Sequence, residues 1–199
     1  MTRSPLHRRQ FSRVAAAGLA LLTVYAVPAY TDTVSPLDAT IADVQKHWPD
    51  IAHVPGDDVA KLMRDGSAVV FDVRTPEEYA VSHLEGAINV DPGLTAAAFL
   101  SRYADATKGK AAVFYCSVGV RSSKLAQRVT PGLKVAGVSN VVNLKGGIFY
   151  WHGENRPLVD GRGPTDLVHG YDSSWGKLVK RQDKVQDTVP DKAQDQPGK

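Results

Sequence analysis

The sequence predicts an α/β fold, one small parallel β-sheet with helices on both faces. Three observations predict it. Short β-branched runs alternate with helical stretches between residues 51 and 144, the pattern of strands joined by helical crossovers. Two of those runs, Ala68–Val73 and Ala111–Tyr115, are apolar enough to be strands buried on both faces. The chain has 199 residues, 43% of them hydrophobic and 23% charged, which is the size and composition of one globular domain with appendages.

The elements follow in order. Residues 1–29 read as an export signal. Arg8-Arg9-Gln10-Phe11-Ser12-Arg13 is followed by the apolar run Val14–Val27, and Val27-Pro28-Ala29 offers a small-residue exit. The paired arginines resemble a twin-arginine address, which implies delivery to the periplasm or cell exterior of a bacterium after folding. The competing reading is a retained anchor, but fourteen residues rise only about 21 Å as a helix, short of a hydrocarbon core near 30 Å. No stable membrane insertion is therefore expected after cleavage. Residues 30–50 form a linker and an N-terminal helix, with Ser35 as N-cap, Pro36 at the first helical position and Leu37, Ile41, Val44 and Trp48 on one face. Residues 51–159 form the α/β domain: strand Ile51–Val54, helix Asp57–Arg64, strand Ala68–Val73, helix Glu77–Ser82, strand Ala87–Val90, helix Leu94–Tyr103, strand Ala111–Tyr115, helix Ser122–Val129 and strand Val141–Leu144. Residues 160–199 form a C-terminal arm and flexible tail. Gly161, Gly163 and Pro164 break the pattern, Asp166–Trp175 packs back on the domain, and the chain frays from Gly176.

Composition excludes several function classes. One cysteine excludes an internal disulfide framework and a Cys-rich zinc site. The six histidines show no metal-ligand spacing, so no metal and no cofactor is expected. The formal charge of +3 is misleading: residues 1–29 hold four arginines and no acid, which leaves the rest of the chain with one acid in excess. That is no nucleic-acid footprint.

The chemistry concentrates at Val113-Phe114-Tyr115-Cys116-Ser117-Val118-Gly119-Val120-Arg121-Ser122. An apolar strand runs straight into Cys116, and a helix begins four or five residues later. Ligands of α/β sheets bind beyond the carboxyl ends of the strands. A short loop closing onto a helix N-terminus there turns backbone N–H groups inward and cradles an anion. The helix dipole, the amides and the Arg121 guanidinium all favour thiolate over thiol. Gly119 lets the loop turn tightly. The competing reading is a buried structural cysteine at a strand end; strand before, helix after and glycine between favour the nucleophile.

Four ordered motifs resemble the rhodanese (sulfurtransferase) family: Asp72–Tyr79, His83–Val90, the Cys116 loop, and Leu144–Trp151. The resemblance covers residues 51–159. It implies a single rhodanese domain in which Cys116 takes a sulfane sulfur as a persulfide. The sulfur would come from a small-molecule donor such as thiosulfate and pass to a thiol or cyanide-like acceptor. It also implies that Ser117, Val118, Gly119, Val120 and Arg121 bind the donor's oxyanion. Asp72 and Arg74 end a central strand and read as a fold-supporting ion pair that braces the active loop. Thr75 with Glu77 and Glu78 reads as helix capping. Gly146 and Gly147 allow close backbone approach beside the cradle, and His152 near that turn is a candidate proton carrier. Alternatives are a cysteine phosphatase or arsenate reductase on the same fold and a non-catalytic binding module. By resemblance, the phosphatase relatives carry one more residue between cysteine and arginine; four here favour sulfur, and a retained cysteine favours catalysis.

Overall fold

The computed structural model describes residues 34–187; the expected export signal, residues 30–33 of the linker and residues 188–199 of the tail lie outside them. Strands β1 (Ala52–Val54), β2 (Ala68–Asp72), β3 (Ile88–Asn89), β4 (Ala111–Tyr115) and β5 (Asn140–Leu144) form one sheet in the order β1-β5-β4-β2-β3. Every pairing in it is parallel. The fold is the predicted one.

The period of β4 explains the layering. Successive side chains of a strand point to opposite faces. Val113 and Tyr115 enter a core shared with helices α1 (Pro36–His47), α2 (Gly56–Arg64) and α6 (Gly147–Gly153). Ala112, Phe114 and Cys116 enter a second core against α4 (Ala96–Thr107) and α5 (Val120–Val135). Both faces of β4 are thus sealed, and its five residues are all buried. The short helix α3 (Pro76–Val81) follows β2 directly.

Local chemistry sets the helix starts. Ser35 and Thr95 accept hydrogen bonds from the N–H groups of Asp38 and Ala98, satisfying donors that the first turn leaves open. α5 departs from expectation. It starts at Val120 and runs through Pro131 to Val135 instead of spanning Ser122–Val129. Proline in a helix interior removes a hydrogen bond, but Leu133 beyond it is fully buried and Gly132 lies tightly against Leu100 of α4. Packing on α4 outweighs the local preference.

The C-terminal region also departs from expectation. Gly161 and Gly163 do not end regular structure; they lie in the turn of a hairpin between β6 (Leu158–Val159) and β7 (Pro164–Thr165). Asp160 holds that turn by accepting from the N–H groups of Arg162 and Gly163. The chain does not fray at Gly176 either. Two 3₁₀ turns, Trp175–Leu178 and Gln182–Lys184, follow, and Val179 is buried in the same core as Val168. Val168 and Val185 pair as a parallel bridge. Two valines whose burial leaves water explain why a polar stretch stays docked.

Candidate active site

Cys116 lies just past the carboxyl end of β4, the central strand, and Val120 opens α5. Gly119 adopts φ +111°, a conformation that favours glycine, and turns its N–H toward the sulfur to donate at 3.2 Å. The loop is held from outside by the start of α6. The N–H groups of Ile148 and Phe149 donate to the carbonyls of Cys116 and Ser117 at 2.9 and 3.0 Å. These are first-turn donors of α6 with no partner inside their own helix. Gly147 makes the approach possible: at φ +57°, a Cβ there would press into both loop carbonyls. Gly146 is the left-handed residue that starts the helix.

The carbonyl of Gly119 is fixed as well. Ser123 Oγ and Asn143 Nδ2 donate to it at 2.6 and 3.3 Å, and Asn143 Nδ2 also donates to Ser123 Oγ. Asn143 further meets His53 Nδ1 at 3.3 Å. Burial lowers the His53 pKa, with the Trp48 carbonyl opposing. The sequence alone does not single out Asn143 or Ser123. The signal for Asn143 is present, because an amide interrupting the buried run Val141–Leu144 needs partners.

Arg121 reaches across the site to Glu78. Its Nη1 and Nη2 donate to the two carboxylate oxygens at 2.7 and 2.8 Å, and Nη2 donates to Ser117 Oγ at 2.9 Å. Ser117 Oγ in turn donates to Glu78 at 2.9 Å. Glu78 is 1% exposed. Burial opposes its charge, but the hydrogen bonds and charge of Arg121 outweigh that and hold its pKa at about 2. Burial likewise opposes the charge of Arg121, and Glu78 and Cys116 together more than restore it. Glu78 therefore does more than cap α3. It completes a capping box with Thr75 and, with the same carboxylate, neutralises the arginine of the loop.

Asp72 and Arg74 are fully buried and form a forked pair, Nε to Oδ1 at 2.9 Å and Nη2 to Oδ2 at 2.6 Å. Arg74 Nη2 also donates to the Ser82 carbonyl, and Tyr115 Oη donates to Asp72 at 2.6 Å. Burial, then the Asp72 charge, push the Tyr115 hydroxyl well above its ordinary pKa. The pair ties β2, β4 and the end of α3 together. His152 is buried with Nε2 against the Asp166 carbonyl at 2.8 Å, linking α6 to the arm. Burial lowers its pKa, opposed by that contact.

The arm contributes one unexpected residue. Tyr171 lies over the Arg121 guanidinium, 4.7 Å from ring centroid to Cζ, where a cation meets the negative face of an aromatic ring. Its φ is +70°, a strain of roughly 1–3 kcal/mol for a residue other than glycine. Two surface cavities of about 400 and 470 Å³ lie elsewhere, one between the start of α1 and Lys177–Lys180, the other around Met63 and Trp151. Neither is lined by Cys116. Among the described residues no group of three or more His, Cys, Asp or Glu could hold a metal ion.

Comparison with known proteins places this architecture. The family model for the rhodanese-like domain matches residues 56–154. The chain is 30% identical over 105 residues to the uncharacterized protein YibN of Escherichia coli K12, covering 53% of this chain and 70% of YibN. The chain belongs to the rhodanese-like family. MoeZ of Mycobacterium tuberculosis, named a probable adenylyltransferase/sulfurtransferase, is 35% identical over 95 residues. That match covers 44% of this chain and 21% of MoeZ, so the chain spans about a fifth of the length of this relative. Among solved structures, a thiosulfate sulfurtransferase from Pseudomonas aeruginosa aligns with a TM-score of 0.48 and 18% identity, covering 74% of this chain and 27% of that one. The family match thus ends near the close of α6, and the β6–β7 hairpin and the arm with Tyr171 lie beyond it.

Proposed function

We propose that the protein is a sulfurtransferase that carries a sulfane sulfur on Cys116. The observation that supports this most is the chain's single cysteine just past the end of the central strand, with the Gly119 amide aimed at its sulfur at 3.2 Å. With thiosulfate as donor, the Cys116 thiolate attacks the outer sulfur. The S–S bond of thiosulfate breaks, its electron pair leaves on sulfite, and a Cys116 persulfide remains. An acceptor thiolate or cyanide then attacks the outer persulfide sulfur, and the electron pair of the breaking bond returns to Cys116. No redox partner is needed. The amides of the loop stabilise the charge that passes through it.

Loop length favours sulfur over phosphate, since only four residues separate Cys116 from Arg121. Steady-state assays with thiosulfate and a thiol acceptor test the reading. Sulfite release with two-step, ping-pong kinetics is expected from the wild type and none from Cys116→Ser. Faster hydrolysis of an aryl phosphate than release of sulfite would replace this reading by the phosphatase one.

We further propose that the chain works outside the cytoplasm, delivered by the Arg8-Arg9 signal. Replacing both arginines by lysine should hold the precursor in the cytoplasm, as read by fractionation and immunoblotting. Undiminished periplasmic delivery of that variant would refute a twin-arginine route.

A further inference from the structure

Exposure within the Cys116 loop is confined to its end. Residues 116–119 are buried, and Cys116 itself is 1% exposed. Only Val120 and Arg121 at its end are partly open. Against that end stands Tyr171, 45% exposed, with the Arg121 guanidinium carbon over its ring. Of the five N–H groups of Arg121, three are spent on Glu78 and Ser117. A ligand approaching the arginine therefore meets the tyrosine ring and the Glu78 carboxylate.

The position of Tyr171 is set by its loop. Its N–H donates to His169 Nδ1 at 2.9 Å, and the Asp172 N–H donates to the Gly170 carbonyl at 3.0 Å. Asp172 Oδ1 accepts from the N–H groups of Ser174 and Trp175. A Cβ at Gly170 would press against Val185 and Asp187. Three residues before Tyr171, Val168 is anchored in the core. A left-handed tyrosine persists only where its surroundings over-determine it, and here they place an aromatic ring against Arg121, at the exposed end of the loop that carries the thiol.

We propose that Tyr171 determines specificity at Cys116: its ring walls the approach past Arg121 and admits small oxyanions in preference to bulky aromatic ligands. The chemical class favoured is the inorganic sulfane oxyanion, thiosulfate above aryl thiosulfonates. This statement about donors rests on the sulfurtransferase reading; the statement about access to the thiol does not.

The single cysteine gives a clean test with the full chain. Alkylation of Cys116 is followed by intact mass with iodoacetate, small and anionic, and with N-phenylmaleimide, bulky and aromatic. The variants are Tyr171→Gly, which deletes the ring and relaxes the left-handed backbone, and Tyr171→Phe, which keeps the ring. Tyr171→Gly should raise the ratio of maleimide to iodoacetate rates by about tenfold, the lower end of what a change of bulk in a pocket does to discrimination. Tyr171→Phe should stay within about twofold of wild type, because the ring face and not the hydroxyl meets the cation. The ratio of kcat/KM for benzenethiosulfonate over thiosulfate should shift in the same sense. Equal acceleration of both alkylating reagents in Tyr171→Gly, or a Phe variant that behaves like Gly, overturns the proposal. If the alkylation ratio shifts and no donor transfers sulfur in any variant, control of access stands and the claim about donors falls with the sulfurtransferase reading.

Discussion

Glu78 concentrates several demands in one carboxylate. It caps α3, accepts from Ser117 and pairs with Arg121 across 43 residues of sequence. Its pKa of about 2 lies below the ordinary 4.5, so the charged form is favoured by folding. The stability this contributes is complete above about pH 4.5 and is lost as pH falls toward 2. Glu78→Gln should therefore cost about 3 kcal/mol at pH 7, measured by urea denaturation, and the gap to wild type should close between pH 4.5 and 2. A constant gap across that window would assign the cost to packing instead. Arg121→Ala leaves the carboxylate buried without its cation, so its effect should shrink when Glu78 is already Gln. A double-mutant cycle on stability should return a coupling of about 1–3 kcal/mol, and independence of the two changes would contradict the pairing. The Cys116 loop is legible from sequence because strand, nucleophile, glycine and arginine are contiguous. Glu78 is not, because an acid in a first helical turn looks the same whether it only caps or also reaches a distant arginine. Tyr171 is less legible still, an aromatic in a glycine-bearing stretch outside the family match.

At the level of elements, the start of α6 is the outer support of the loop. Its first N–H groups hold the Cys116 and Ser117 carbonyls, and that contact exists because Gly147 has no side chain. Gly147→Ala combines a left-handed φ with a collision against backbone, so it should destabilise the fold by about 2–4 kcal/mol and lower sulfur transfer beyond what lost stability explains. A variant with wild-type melting and wild-type kcat/KM would show that the loop needs no such brace. The sheet itself is legible because parallel strands buried on both faces need unbroken apolar runs, and Ala111–Tyr115 matches β4 at both ends. Helix ends are less so. α5 passes Pro131 because Leu133 has a core to enter, and local sequence does not contain that core. The β6–β7 hairpin is hidden for the opposite reason. Its glycines and proline read as breakers, while Asp160 uses them to build a turn.

Across the whole molecule, two apolar cores flank one sheet, and the arm closes the first of them with Val168 and Val179. A polar C-terminal stretch stays docked because these two valines leave water. Val168→Ala or Val179→Ala should each cost about 2 kcal/mol, read as a lowered Tm, and a neutral result at both would mean that the arm does not contribute to the fold. The proposed function rests on one claim, that Cys116 carries sulfur. The most direct measurement is the intact mass of the protein after exposure to thiosulfate, with and without dithiothreitol. One added sulfur, removed by the reductant and absent from Cys116→Ser, is the result predicted; a wild-type protein left unmodified by thiosulfate and by other sulfane donors would contradict it.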